Sequence, residues 1–295
     1  MRLLFTLTLV AAAALAGCAI IVAPNDGDVS LHTVFSKDTV IGDGKVTTQQ
    51  RPVSAGLTEF DMSGPLQVEL RVGPAPSLQV EGDSNLLPLI RTETSGPAMR
   101  VWVQGSVRTN NGLRIIYTTP QLEQIRASGS GRLVASGFNG AALTLTKSGS
   151  GESQLSGSVG RLNMQLSGSG SVNATALQSG NANLELSGSG RLDMGRVSAD
   201  ALNVKVRGSG DLQASGAATN VNARVSGSGG VNLMELASER ADLSTNGSGD
   251  ISARVKQSLV ATTNGSGSIT VYGDPAQRTI SGKHVHVVSH AGQPK

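Results

Sequence analysis

Of the 295 residues only one, Cys18, is a cysteine, which excludes any internal disulfide. Aromatics make up 2% of the chain, with a single tryptophan, Trp102. A bulky aromatic core is therefore excluded, and the interior has to come from Leu, Val, Ile and Ala. Charge of one sign is also missing. The 24 Lys and Arg stand against 21 Asp and Glu, a net +3, and no Lys/Arg run occurs. That argues against a nucleic-acid-binding partner. No long amphipathic helical pattern is present beyond a short turn at Asn85-Leu86-Leu87.

Sequence signatures of catalysis are absent as well. No serine has glycine at both minus two and plus two, so the nucleophile elbow is missing. The dinucleotide fingerprint and the Walker loop do not occur. The acids Asp193, Asp211 and Asp250 read as scattered, with no regular carboxylate pair for calcium or for glycoside hydrolysis. Arg191 beside Asp211, each directly after a glycine triplet, reads as an exposed ion pair between neighbouring strands. His284, His286 and His290 form the one histidine cluster. His284 and His286 share a strand face, but the segment reads as an exposed terminal strand. The expectation is no catalytic, cofactor or metal residues.

What is present begins at the N-terminus. Arg2 precedes an apolar run of 13 residues at positions 3–15, too short to span a bilayer and right for a signal segment. It ends in Leu15-Ala16-Gly17-Cys18, which resembles a bacterial lipobox. That resemblance implies lipidation of Cys18 and a membrane anchor without a spanning helix. Ala19, in place of an aspartate, implies the outer membrane. Residues 1–17 thus read as a signal peptide and 18–55 as a tether, with a strand at Thr39-Val40-Ile41.

Residues 57–119 show period-two alternation. Leu66, Val68 and Leu70 alternate with Gln67, Glu69 and Arg71, and Val101 and Val103 flank Trp102. Beyond them the chain repeats. Gly-Ser-Gly triplets start at Gly129, Gly149, Gly168, Gly188, Gly208, Gly227, Gly247 and Gly265, at intervals of 18 to 20 residues. Two apolar columns accompany them, one through Leu145, Met164, Leu184 and Val204, the other through Leu143, Leu162, Ala182 and Leu202. A third column follows each triplet, through Leu133, Val172, Leu192 and Leu212, with Ser153 as its exception. Columns at constant interval predict an all-β parallel β-helix of about 20-residue coils with triplets at its corners, preceded by related irregular strands. The central serines, and the column Asn163, Asn183, Asn203 and Asn222, are expected to hydrogen-bond along the stack. A β-sandwich from the same strands would not need the constant interval.

Several segments carry a family resemblance. They are Phe60-Asp61-Met62-Ser63-Gly64, then Gly82-Asp83-Ser84-Asn85-Leu86-Leu87, residues 113–119 and the Ser-Gly-Ser-Gly ladder. Together they resemble the auto-transporter adhesin head GIN domain family of bacterial envelope proteins. The resemblance implies a right-handed β-helix over residues 56–273, with the triplets at 129–267 and a C-terminal cap or tail at 274–295. It carries over no catalytic residues. The expected function is a non-enzymatic lipid-anchored envelope protein, outer-membrane by the anchor, offering an adhesion-like or scaffold surface to an envelope or surface ligand. Which side of the membrane it faces stays open. The alternative is a carbohydrate-active β-helix enzyme on an envelope polysaccharide.

Overall fold

Alternating apolar and polar residues place every second side chain on one face of a strand, and a single coil cannot bury that face alone. Stacking solves this. The computed structural model describes residues 39–289, so Cys18 with its signal segment, and His290, lie outside the described residues. The described chain is a parallel β-solenoid. Along one face Leu143, Leu162, Ala182, Leu202, Val221, Ala241 and Leu259 are successive register partners. Along the other, beyond the corner, Leu133, Ser153, Val172, Leu192, Leu212, Val231, Ile251 and Ile269 stack in turn. Nearly all of these side chains are buried and form one continuous core. A further inward column, not read from the sequence, sits just before the corner and includes Lys147, Leu166, Leu186, Val206 and Val225.

The triplets are the corners. Gly149 has φ +104°, and a Cβ there would sit 2.3 Å from the Gly129 carbonyl oxygen. The third glycine of the triplet is needed for a different reason. A Cβ on Gly151 would lie 1.9 Å from the Gly131 oxygen, although its backbone is ordinary. The corners are joined by backbone bonds, as where the Ser189 amide donates to the Gly168 carbonyl at 3.0 Å. The central serines correct the expectation of side-chain stacking. All eight are exposed, and among the described residues none makes a side-chain hydrogen bond. The asparagine column is joined only where Asn183 Nδ2 donates to Asn163 Oδ1 at 3.2 Å. Both columns face water, which satisfies these groups without a ladder.

The uneven intervals are absorbed between the second-face strand and the next first-face strand, in two steps in some coils. Glycine stays opposite glycine from Gly168 through Gly265. Register shifts fall instead after the second-face strand, as between Met194 and Arg196 or Gln213 and Gly216. A one-residue length difference is absorbed there, away from the corner and from the apolar columns.

The first two coils are laid down out of spatial order. Glu59–Ser63 lies between Gln124–Ser128 and Ala98–Val103, and Gln67–Val72 lies between Arg132–Phe138 and Arg114–Thr119, all parallel. The outer coil is therefore the later one in sequence. Its edges are covered by antiparallel strands, Ile90–Ser95 on the first face and Ser77–Asp83 followed by Val46–Arg51 on the second. Reversed direction and short polar sequence blunt an otherwise open parallel edge. Phe60 is stacked here on Tyr117, with ring centroids 5.4 Å apart. Thr39–Ile41, the strand read from the tether, pairs with Ser106–Arg108. At the other end Gln277–Ser281 and Val285–Val288 add a further coil.

Candidate binding clefts

Outward side chains of a solenoid fall into rows, because register puts equivalent positions one strand spacing apart. Two stretches of these rows open into clefts.

The first is on the second face. One row runs Arg191, Asp211, Gly230, Asp250, and the row two residues on runs Asp193, Gln213, Asn232, Ser252. Gly230 contributes no side chain, so a notch of about 290 Å³ opens between Asp211 and Asp250. The three acids read as scattered are thereby brought to one cleft, because triplet spacing in the sequence hides cross-coil neighbours. Arg191 Nη2 lies 3.6 Å from Asp211 Oδ2, both side chains exposed, as the sequence indicated. Asp250 Oδ1 is tied down by the Ser268 amide at 2.8 Å and its hydroxyl at 2.7 Å. Among the described residues no three His, Cys, Asp or Glu are grouped to hold a metal ion.

The second cleft, about 590 Å³, lies on the first face near the outer coil. One row runs Glu93, Arg100, Asp61, Arg126, Thr146, and its neighbour runs Arg91, Trp102, Ser63, Ser128, Ser148. Asp61 is paired on both sides, with Arg126 Nη1 at 3.0 Å and Arg100 Nε at 3.4 Å. Its bond to Asp61, and then that to Glu59, holds the Arg126 guanidinium above its ordinary pKa. In the sequence Trp102 stands out for its rarity and for its place between Val101 and Val103, but not as a site residue. The signal was available: Val101 faces the core, so Trp102 has to face out.

The Gly82-Asp83-x-Asn85-Leu86-Leu87 segment is a latch. Asp83 is almost wholly buried and accepts from Asn111 Nδ2 at 2.6 Å and from the Thr109 hydroxyl. Asn85 Nδ2 donates to the Ile41 carbonyl at 2.8 Å, and its Oδ1 accepts from the Asp43 amide at 3.0 Å. Leu86 enters the core. His284 and His286 are exposed outward positions on the last described coil.

Stacked glycine corners, buried apolar columns and open polar clefts define a parallel β-solenoid with coils of about 20 residues. The chain belongs to the family described as "Putative auto-transporter adhesin, head GIN domain", which it matches at residues 56–195 and 175–275. No curated protein matches it. Among solved structures, a protein from Parabacteroides distasonis titled "Putative lipid binding protein" is 22% identical with a TM-score of 0.65, covering 85% of this chain and 99% of that one. A "putative adhesin" from Parabacteroides merdae is 19% identical with a TM-score of 0.65, covering 85% and 99%. A second P. distasonis "putative adhesin" is 22% identical with a TM-score of 0.65, covering 85% and 100%. At these identities the likeness is one of fold.

Proposed function

We propose that this is a non-enzymatic, lipid-anchored protein of the cell envelope whose solenoid faces serve as an adhesion-like or scaffold binding surface. The observation that carries the reading is the register. Polar rows such as Arg191, Asp211 and Asp250 are held at fixed spacing by the buried columns behind them, and they open to solvent in clefts rather than enclosed pockets. The family description and two of the neighbours' titles, which name adhesins, support it. Cys18, at the end of Leu15-Ala16-Gly17-Cys18, supplies the anchor, and Ala19 directs it to the outer membrane.

The test is protease treatment of intact cells alongside fractionation of wild type and Cys18→Ala. The anchor requires lipid labelling and membrane association that both disappear in Cys18→Ala; unchanged fractionation refutes it. Cleavage in intact cells supports the surface role, and protection in cells with cleavage in lysates replaces it with a periplasmic one. A second reading, a polysaccharide-cleaving enzyme, is favoured by one observation, the shared cleft of Asp193 and Asp211. Cleavage of an envelope polysaccharide that is lost in Asp211→Ala would establish it.

A further inference from the structure

The row containing Trp102 changes abruptly in size. Its next three register partners toward the solenoid middle are Ser63, Ser128 and Ser148. The one indole of the chain thus stands at the end of a shelf whose side chains extend no further than a hydroxyl. The parallel row of Glu93, Arg100, Asp61 and Arg126 forms a charged wall along that shelf. The resulting 590 Å³ cleft lies within the ~300–1,000 Å³ range of small-ligand sites.

We propose that this shelf binds a neutral saccharide. An indole offers a flat apolar face and a single N–H donor, which suits the C–H face of a sugar ring. The Ser63, Ser148 and Thr146 hydroxyls can each donate and accept, Ser128, whose hydroxyl donates to the Met62 carbonyl at 3.2 Å, can still accept, and the wall supplies donors from guanidinium and acceptors from carboxylate. The lining charges balance, with Asp61 and Glu93 against Arg100 and Arg126. Asp61 is already engaged by both arginines, which leaves no uncompensated field to select an ion. An acyl chain laid on the same shelf would strip water from these hydroxyls and ion pairs without replacing their hydrogen bonds. A polyol replaces them. The proposal rests on the binding reading above and gives it a place and a ligand class.

Because Trp102 is the only tryptophan, fluorescence excited selectively at tryptophan rather than at Tyr117 and Tyr272 reports this cleft alone. Full-length protein in detergent is titrated with maltotetraose, cellotetraose and N-acetylchitotetraose, with adenosine and choline as stacking probes of other chemistry. The expected result is a saturable change in Trp102 emission with at least one tetrasaccharide, and none with adenosine or choline. Ser148→Arg keeps the fluorophore and fills the shelf, and it should weaken that tetrasaccharide at least about tenfold. Trp102→Ala, followed by calorimetry, should weaken it similarly with an unchanged thermal midpoint. Silence with all three tetrasaccharides, a response to adenosine or choline only, or a saccharide response unaltered by Ser148→Arg would each overturn the proposal. Those results would leave the outcome of whole-cell proteolysis untouched, so the two readings fail separately.

Discussion

Lys147 and Ser153 point into the core from the two sides of one glycine corner, the only coil among the described residues with a polar residue in both of these inward columns. Their positions in neighbouring coils are held by Leu166 and Val172. The Lys147 stem runs beneath the next corner, so that a Cβ on Gly170 would lie 3.0 Å from Lys147 Cε. The Ser153 hydroxyl is buried with no hydrogen-bond partner. Burial pushes the Lys147 ammonium below its ordinary pKa, and nearby Glu152 opposes this only in part.

The sign of that shift makes a pH prediction. While Lys147 is protonated, its burial penalises the folded state. As pH rises from the depressed folded pKa toward the ordinary 10.5, the unfolded chain binds more protons than the folded one, so stability rises. Lys147→Met removes the penalty and should stabilise the protein at neutral pH by about 0.5–2 kcal/mol. Urea unfolding of both proteins from neutral pH to 10.5 checks this. The gap should narrow as pH rises, and a constant gap would show that the ammonium escapes to water.

The solenoid was legible because its period is written in glycine, and each apolar column recurs at that period. The columns through Leu143, Leu145 and Leu133 needed only counting. The order of the first two coils was not legible. Residues 59–72 and 98–119 have the same alternation, and nothing local says which stacks against Gln124–Ser128. The clefts were half legible. Arg191 over Asp211 follows from equal distance to a triplet, whereas Asp250 joins them only because Gly230 leaves a gap between the coils. The Trp102 shelf depends on partners taken from three separated segments, so no linear motif marks it.

Glycines in the ladder should differ sharply from those outside it. Gly151→Ala forces a Cβ to within 1.9 Å of a backbone oxygen in the neighbouring coil, so the coils have to part. A loss of about 2–4 kcal/mol is expected. Gly140→Ala is the control, with only an ordinary contact at 4.0 Å and no positive φ. It should be neutral or stabilising by up to about 1 kcal/mol. Thermal and urea unfolding of the two variants compare them directly.

Asp83 holds the first described segment of the chain in place. A Cβ on Gly42 would meet Asp83 Oδ2 at 1.9 Å, so the incoming segment is pressed against the carboxylate. Asp83→Ala leaves the Thr109 hydroxyl and the Asn111 amide without their acceptor, at a cost of about 1–3 kcal/mol. Hydrogen exchange should then accelerate first at Thr39–Ile41 and Ser106–Arg108, which pair beside the latch. Equal acceleration across the whole solenoid would mean that the latch is not a local device.

The Arg191–Asp211 pair tests how far the exposed rows matter to the fold at all. Both side chains are more than half exposed and 3.6 Å apart. Water and salt screen such a pair, and ordering two flexible side chains offsets much of the attraction. Asp211→Ala should therefore change stability by less than about 1 kcal/mol, with any effect shrinking as salt is added. Leu212→Ala, at the next residue but buried in the second-face column between Leu192 and Val231, should cost about 2–5 kcal/mol. Neighbouring positions with such unequal costs would mean that the columns alone keep the coils in register. The outward rows are then free to vary in chemistry without unfolding the solenoid, as a recognition surface on a repeat scaffold requires.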